Sequence, residues 1–308
     1  MNSSSEPSEA PAIKTGVEDT FYYEITTQCA LCGSCESECP AGAITEAEES
    51  FLVDKRACID CGTCAMVCPA GAARSIPFVR ASLDPAAVRS EDAFYFNAGC
   101  AQSLYKPKAA AQLFSLLKEH YPQLHLHERC CHHDPQLPAG SVIINCCAGC
   151  DRRFRSLYAG INTLSLWELL DATPQLNLPD FRGRQVSVHD SCGYRHKPQV
   201  HRAIRSLLRK MNLEIVEAEY SGTDSVCCGD KLYGLLEDEQ VEQRIAERAR
   251  QFPCAEVVVT CIGCVRALSS AGKKPCYLPE LLLGKMTEPL SESLFDYHSK
   301  LERYIAEH

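Results

Sequence analysis

The sequence has no apolar run long enough to cross a membrane, no leader-like composition in residues 1–20 and no excess of positive charge. Its longest apolar stretches, such as 257–259 and 281–283, fall far short of the roughly 18 residues that a membrane-spanning helix needs. Residues 1–20 contain neither a basic segment nor an apolar core, so secretion is not expected. With 31 Lys and Arg against 40 Asp and Glu, the net charge of −9 argues against general nucleic-acid binding. These absences predict a cytoplasmic protein with no transmembrane segment and no nucleic-acid partner.

Two fingerprints of other functions are also missing. No G-x-G-x-x-G motif follows a predicted strand, so any flavin or nicotinamide chemistry would belong to a partner subunit. No helix-turn-helix signal stands out, which disfavours a cluster-based DNA-binding sensor. What the sequence does have is cysteine, at 21 of 308 positions. In a reducing cytosol, so many thiols indicate metal or redox chemistry rather than disulfides.

Composition divides the chain into segments. Residues 1–20, rich in Ser, Glu and Pro, are predicted to be a disordered tail. A cysteine-rich domain occupies 21–78 and is followed by a linker at 79–92. Beyond the linker, β-rich runs alternate with amphipathic helices, which is typical of a parallel α/β sheet. Cysteines stand at the carboxyl ends of the predicted strands, where such sheets place their ligand sites.

The α/β region contains a repeat. Each half has a lone cysteine, a Cys-Cys pair, a C-x2-C motif and an E-L-L ending. This pattern predicts two pseudo-equivalent units, at 93–180 and 181–285. The interval between the Cys-Cys pair and the C-x2-C motif is shorter in the first unit. We therefore expect the first unit to lack one helix.

Two further segments carry a recognisable pattern. Residues 286–308 are predicted to form a C-terminal helix that packs on its own domain or docks a partner. The stretch 195–210 carries six basic residues and no acidic one. It indicates a water-exposed helix face, a docking face, or a clamp for an anionic thiol substrate near Cys192. The apolar face of the C-terminal helix comprises Leu294, Tyr297, Leu301, Tyr304 and Ile305.

Eight cysteines between positions 29 and 68 fall into two runs of the same spacing, C-x2-C-x2-C-x3-C-P. A [4Fe–4S] cubane needs four converging thiolates; each run supplies three, and the fourth, before proline, crosses to the other cluster. Zinc ribbons need neither the third cysteine nor the proline, which disfavours zinc. The segment 23–76 resembles a clostridial-type two-cluster ferredoxin. The predicted ligands are Cys29, Cys32, Cys35 and Cys68 for one cubane, and Cys58, Cys61, Cys64 and Cys39 for the other.

The second α/β unit resembles the Cys-Cys-Gly domain of heterodisulfide reductase catalytic subunits, because Cys227-Cys228-Gly229 is followed by a C-x2-C motif. The same domain occurs in iron–sulfur subunits of glycolate, lactate and anaerobic glycerol-3-phosphate dehydrogenases. The resemblance implies a further [4Fe–4S] centre, which in the reductases is a non-cubane cluster with five cysteine ligands that splits a disulfide. The implied ligands are Cys192, Cys227, Cys228, Cys261 and Cys264.

The first unit departs from this pattern, because His132-His133 replaces the glycine after its Cys-Cys pair. Its cysteines imply either a second such cluster, a degenerate unit that only supports the fold, or a different metal bound with His132 or His133. The matching cysteines are Cys100, Cys130, Cys131, Cys147 and Cys150. Cys146, Cys254 and Cys276 remain outside every set and are expected to be buried packing residues, although Cys146 could substitute for Cys147.

The sequence thus predicts an α/β iron–sulfur protein with two pseudo-repeated Cys-Cys-Gly units and a small α+β ferredoxin-like N-terminal domain. Electrons are expected to pass singly from two cubanes to a Cys-Cys-Gly cluster. There the resemblance implies heterodisulfide or disulfide reduction, with a flavoprotein or other redox subunit as partner. The alternative is a non-catalytic electron-transfer subunit of a flavin-dependent dehydrogenase of the glycolate, lactate or glycerol-3-phosphate type. The sequence names no catalytic residue and leaves open whether the chain is itself an enzyme.

Overall fold

The computed structural model describes residues 23–54, 57–76, 83–85, 93–158 and 160–308. The predicted tail at 1–20 lies outside the described residues, as does most of the predicted linker at 79–92. Within that linker, the backbone N–H of Leu83 donates to the carbonyl of Thr163 at 3.0 Å. In the described part of the chain, no helix is both long enough and apolar enough to cross a bilayer.

The N-terminal domain is built from two similar halves, each with one short helix. Both helices begin after a glycine in the left-handed region, Gly33 at φ 74° and Gly62 at φ 88°. That conformation costs an L residue about 1–2 kcal/mol and lets each cysteine run turn back on itself. β1 pairs antiparallel with β4, and β2 with β3. The elements are β1 (Tyr23–Ile25), α1 (Ser34–Ser37), β2 (Ile44–Glu46), β3 (Phe51–Val53), α2 (Thr63–Val67) and β4 (Ala73–Ser75).

The first α/β unit is a four-stranded parallel sheet in the order β6-β5-β7-β8. Its central strand β7 is buried along its whole length, as the apolar run at 142–144 predicts for a sheet covered on both faces. The elements are β5 (Phe94–Asn97), α3 (Cys100–Tyr105), α4 (Pro107–His120), β6 (His125–Leu126), β7 (Val142–Asn145), α5 (Ala148–Leu157), β8 (Asn162–Ser165) and α6 (Leu166–Ala172).

The second unit repeats this sheet, in the order β10-β9-β11-β12, again parallel throughout. The equivalent strand order confirms that the two units are a structural repeat. Three 3-10 turns lie at Cys192–Tyr194, Gly222–Asp224 and Asp230–Leu232. The elements are β9 (Arg184–Val188), α7 (Pro198–Lys210), β10 (Leu213–Ile215), α8 (Asp238–Arg250), β11 (Glu256–Val259), α9 (Ile262–Ser270), β12 (Lys274–Tyr277) and α10 (Leu278–Leu282).

The units differ by one helix. Among the described residues of the first unit, nothing corresponds to α8, and the chain runs from its Cys-Cys pair through turns to β7. In the second unit α8 packs directly on the Cys-Cys-Gly turn: a Cβ on Gly229 would lie 2.6 Å from Ile245 Cγ1. The glycine is therefore required where α8 is present. Without such a helix, the first unit accommodates an exposed His132 at that position.

Reciprocal ion pairs join the two units. Lys197 of the second unit lies 3.5 Å from Glu168 of the first, and Lys106 of the first lies 3.3 Å from Glu280 of the second. Each lysine precedes the proline that begins α7 or α4, and each glutamate belongs to an E-L-L sequence. All four side chains are largely buried. The E-L-L repeat therefore marks the contact between the units.

The C-terminal helix α11 (Leu294–Glu307) packs on both units, and its His298 ring stacks on Tyr233 of the second unit at 4.0 Å. The ring of Tyr297 stacks on Tyr105 of α3 at 5.0 Å, and the Tyr105 hydroxyl donates to the Tyr297 carbonyl at 3.0 Å. Leu294 and Tyr297 are buried, whereas the later positions of the predicted apolar face are only partly buried. The first turns of the helix therefore anchor it to its own chain.

The contact between Gly229 and α8 gives a stability prediction. Gly229→Ala combines a φ of 107° with a clash against Ile245, so we expect a loss of about 2–4 kcal/mol in the free energy of unfolding. Gly234→Ala is the matched control, because its φ of 75° is similar in sign but its Cβ would meet nothing within 4 Å. It should lose only about 1 kcal/mol. Urea denaturation followed by circular dichroism measures both, and equal losses would refute the proposed contact.

Candidate metal centres

Backbone amides point at sulfur atoms in both halves of the N-terminal domain. The N–H of Ala43 donates to Cys39 Sγ at 3.3 Å, and the N–H of Ala72 donates to Cys68 Sγ at 3.2 Å. Cys35 and Cys64 face the domain interior, and burial raises the pKa of both thiols. A metal that binds them would have to displace their protons. The loops thus present equivalent sets of thiols, with amide donors already aimed at the cysteines that precede proline.

Five cysteines of the second unit converge at the carboxyl edge of its sheet. Cys192 follows β9, Cys261 caps α9 and Cys264 lies in the first turn of that helix. The Cys-Cys pair closes the set, with Cys228 Sγ at 3.3 Å from Cys264 Sγ. Neighbouring thiols share hydrogen bonds in the order Cys192, Cys227, Cys228, Cys264, Cys261. This unit therefore gathers all five sulfur atoms that the resemblance implied.

The first unit gathers its five cysteines in the same way. Hydrogen bonds link Cys100, Cys130, Cys131, Cys150 and Cys147, in an order that matches the second unit position by position. A nitrogen of His132 lies within 4.8 Å of the sulfur atoms of the Cys-Cys pair. His133 Nε2 instead lies 2.7 Å from the Ile305 carbonyl of α11, where it donates a hydrogen bond. The geometry of the thiol set is therefore not degenerate in this unit, despite the missing glycine.

Hydrogen bonds among the thiols separate their pKa values. Donation by Cys227 and Cys264 lowers the pKa of Cys228 to about 6, and donation by Cys150 lowers that of Cys147 to about 7. The donors keep their protons, and burial adds to the rise of the Cys150 and Cys264 pKa values. Each set thus contains one thiol whose pKa its neighbours lower, and metal binding would release the protons that the set retains.

The donor atoms fit a sulfur-rich metal cluster. Soft thiolates favour iron–sulfur clusters, zinc or Cu(I), and five thiols exceed the four that one zinc or one cubane uses. In the second unit, a nitrogen of the buried His189 lies within 4.8 Å of Cys228 Sγ and Cys264 Sγ. Its Nε2 has no hydrogen-bond partner among the described residues. A buried polar atom left without a partner beside the sulfur atoms is consistent with a group that binds there.

The loop of the second C-x2-C-x2-C-x3-C-P run is joined directly to the second five-cysteine set. The backbone N–H of Cys227 donates to the carbonyl of Cys61 at 3.0 Å, so a ligand position of one site contacts a ligand position of the other. Arg195 is fully buried beside this contact and forms an ion pair with Asp60 at 2.7 Å. The same guanidinium donates to the carbonyls of Asp60 and Ser225, each at 2.8 Å. The two domains therefore meet at their candidate metal ligands.

Only three of the six basic side chains in the stretch 195–210 are exposed to water, so the water-exposed face that its composition suggested forms in part. Arg195 and Lys197 are buried. Arg205 binds both carboxylate oxygens of Asp190 at 2.8 Å, and Lys210 contacts Asp171 at 2.6 Å. Most of these charges are paired within the chain, because acidic residues distant in sequence fold against them.

The three remaining cysteines lie apart from the hydrogen-bonded thiol sets. Cys146 is fully buried and shares a hydrogen bond with Tyr277, while Cys147 occupies the ligand position. Cys276 is buried in β12, and burial raises its pKa to about 11. The N–H of the half-buried Cys254 donates to Ser187 Oγ at 3.2 Å. All three fit structural positions.

Comparison with known proteins agrees with this geometry. Residues 28–73 match the 4Fe-4S dicluster domain, and residues 186–269 match the Cysteine-rich domain. The chain contains an iron–sulfur dicluster domain and a Cys-Cys-Gly cysteine-rich domain. A ferredoxin from Clostridium pasteurianum is 52% identical over 32 residues, which are 10% of this chain and 57% of that protein. A ferredoxin-like protein in the nif region of Rhizobium leguminosarum bv. trifolii is 50% identical over 32 residues, 10% of this chain and 50% of that protein. The chain spans about half the length of these curated relatives.

Sequence reasoning missed the contact between the dicluster domain and the cysteine-rich domain. One signal was available, because Asp60 occupies the place in the second run that Leu31 occupies in the first. A carboxylate between two cluster cysteines is unfavourable unless a cation lies nearby. Arg195 supplies that cation, from a segment 135 positions away.

Removing this cation should destabilise the protein. Arg195→Met leaves the Asp60 carboxylate buried and unpaired, so we expect a loss of about 3–5 kcal/mol in the free energy of unfolding. Adding Asp60→Asn removes the unpaired carboxylate and should restore part of the lost free energy of unfolding. Lys210→Met, which breaks the exposed pair with Asp171, should cost at most about 1 kcal/mol. Chemical denaturation compares the variants, and a double variant no more stable than Arg195→Met would contradict this account.

Proposed function

We propose that this iron–sulfur protein passes single electrons from two cubane clusters in its dicluster domain to clusters held by the five-cysteine sets, where a disulfide is reduced. The observation that carries the proposal is the hydrogen bond from the Cys227 N–H to the Cys61 carbonyl, at 3.0 Å. It brings together one ligand position from each site. A short separation between clusters is what single-electron transfer requires.

The different exposure of the two loops in the dicluster domain suggests where electrons enter and where they leave. The loop of the first run faces water, with an exposed Cys32 and a Leu31 side chain that is 44% exposed. The equivalent loop of the second run carries Asp60 and is buried against the second unit. Electrons would therefore be accepted at the cluster of Cys29, Cys32, Cys35 and Cys68, and leave through that of Cys58, Cys61, Cys64 and Cys39.

The second five-cysteine set is accessible from one side. Cys192, Cys227 and Cys261 are partly exposed, whereas Cys228 and Cys264 are buried. A substrate sulfur would therefore approach from the side of the first three. Iron–sulfur clusters, when bound, supply one-electron reduction; the overall reaction is R–S–S–R′ + 2 e⁻ + 2 H⁺ → RSH + R′SH. We propose that the electrons come from a flavoprotein or another redox subunit.

The state of the cysteines supports a reducing, cytoplasmic location in this proposal. All 21 cysteines lie in the described residues, and no two of them form a disulfide. Oxidising compartments would pair many of these thiols and so block cluster binding.

Cluster content tests the ligand assignment. Four [4Fe–4S] centres would give about 16 irons per chain in anaerobically reconstituted protein. Cys228→Ala and Cys131→Ala should each lose about four irons and one EPR species, because each removes a sulfur from the middle of its set. Cys254→Ala is the control and should lose none. About eight irons in the wild type, unchanged by Cys228→Ala, would confine the clusters to the dicluster domain.

Turnover separates disulfide reduction from simple electron transfer. We expect the reconstituted protein to oxidise reduced methyl viologen when the disulfide of glutathione, cysteine or coenzyme A is added, because these supply the S–S bond. Cys228→Ala should slow this reaction at least tenfold. A fully loaded protein that accepts electrons but reduces no disulfide would favour the alternative, an electron-transfer subunit of a flavin-dependent dehydrogenase.

A further inference from the structure

One buried polar group beside the second five-cysteine set has no role in the electron path described above. His189 directly follows β9, three positions before Cys192, and is only 2% exposed. One of its nitrogens lies within 4.8 Å of Cys228 Sγ and Cys264 Sγ. Among the described residues, its Nε2 has no hydrogen-bond partner. A buried ring nitrogen without a partner is costly unless something at the site binds it.

The neighbours of His189 determine which nitrogen carries the proton. Arg248 Nη2 lies 3.4 Å from His189 Nδ1. A guanidinium only donates, so Nδ1 is the acceptor and the ring proton lies on Nε2. Arg248 is itself held by the Tyr220 carbonyl at 2.9 Å. Phe252 packs edge-on against the imidazole, with ring centroids 5.6 Å apart. The contact with Arg248 thus places the ring proton on Nε2, and Phe252 packs against one edge of the ring.

This tautomer makes His189 a donor and not a metal ligand. A protonated Nε2 has no lone pair to offer iron. We infer that His189 donates an Nε2–H···S hydrogen bond to the cluster held at Cys228 and Cys264, and so raises the reduction potential of that cluster. The inference rests on the proposed cluster of the second unit. N–H donors stabilise the added negative charge of the reduced state, which is why they raise the potential.

The residue at the equivalent position of the first unit is no such donor. Asn97 ends β5 three positions before Cys100, where His189 stands before Cys192. Its Nδ2 contacts His127 Nδ1 at 3.0 Å and the Arg129 carbonyl at 3.3 Å, so its N–H groups are engaged away from sulfur. The inference therefore concerns the second unit alone.

A matched pair of variants in the full, reconstituted chain tests the donor. His189→Met removes the N–H with little change of volume, whereas His189→Gln keeps an amide N–H near the position of Nε2. EPR-monitored redox titration should show that His189→Met shifts the one-electron reduction equilibrium of the second-unit cluster by about tenfold, or about 59 mV, to lower potential. His189→Gln should retain more than half of the wild-type effect. The other clusters should not shift.

A measurement on the unaltered chain remains decisive if a variant fails to fold. With 15N-labelled histidine, ENDOR at the second-unit cluster should detect an exchangeable proton and only weak 15N coupling. Strong 15N coupling would make His189 a ligand and overturn the inference. So would an unchanged potential in His189→Met at wild-type iron content, or equal shifts in both variants. If the wild type and Cys228→Ala instead gave the same EPR species, that result would contradict the proposed cluster itself.

Discussion

Thiolates repel one another in a medium of low polarity, so five of them stay together only when protons or metal ions lie between them. Both α/β units hold their five cysteines together with the same arrangement. Each brings a lone cysteine, a Cys-Cys pair and a C-x2-C motif to the carboxyl edge of a parallel sheet, and a helix begins within the last motif. The positive end of that helix stabilises thiolate, and shared protons hold the rest. The sheet, its helices and the contact between the units all serve this convergence.

Compensation of buried charge also explains how the dicluster domain contacts the second unit. The loop that presents Cys61 also presents Asp60, and the segment after Cys192 presents Arg195. Joining a buried carboxylate to a buried guanidinium satisfies both, and fixes the cubane loop against the Cys-Cys pair. A contact made only of apolar side chains could slide without a large cost. An ion pair with hydrogen bonds to three carbonyls specifies one register, because Arg195 donates to Asp60, Cys61 and Ser225.

Much of this architecture could be predicted from the sequence, because it is encoded in local spacing. The C-x2-C-x2-C-x3-C-P runs, the repeat and the missing helix are all visible as intervals between cysteines. The burial of Arg195 was not predictable, since a basic stretch is typical of an exposed helix and its partner lies 135 positions away. The sequence shows that His132 replaces the glycine of the second unit, but it does not show why. Only the packing of α8 on Gly229 shows why one unit needs glycine and the other does not.

The asymmetry between the units follows from what surrounds each thiol set. The second set lies beside the buried Arg195, whose charge Asp60 neutralises, and beside Lys231, which donates to the Ile59 carbonyl. Nearby positive charge favours the reduced form of a cluster, because reduction adds negative charge. In the first unit, Arg153 donates to the Cys131 carbonyl at 3.3 Å, and the buried Asp151 beside Cys150 is neutralised by Arg155 and Lys197. The contact with the dicluster domain, through the hydrogen bond from the Cys227 N–H to the Cys61 carbonyl, is therefore what distinguishes the surroundings of the second set.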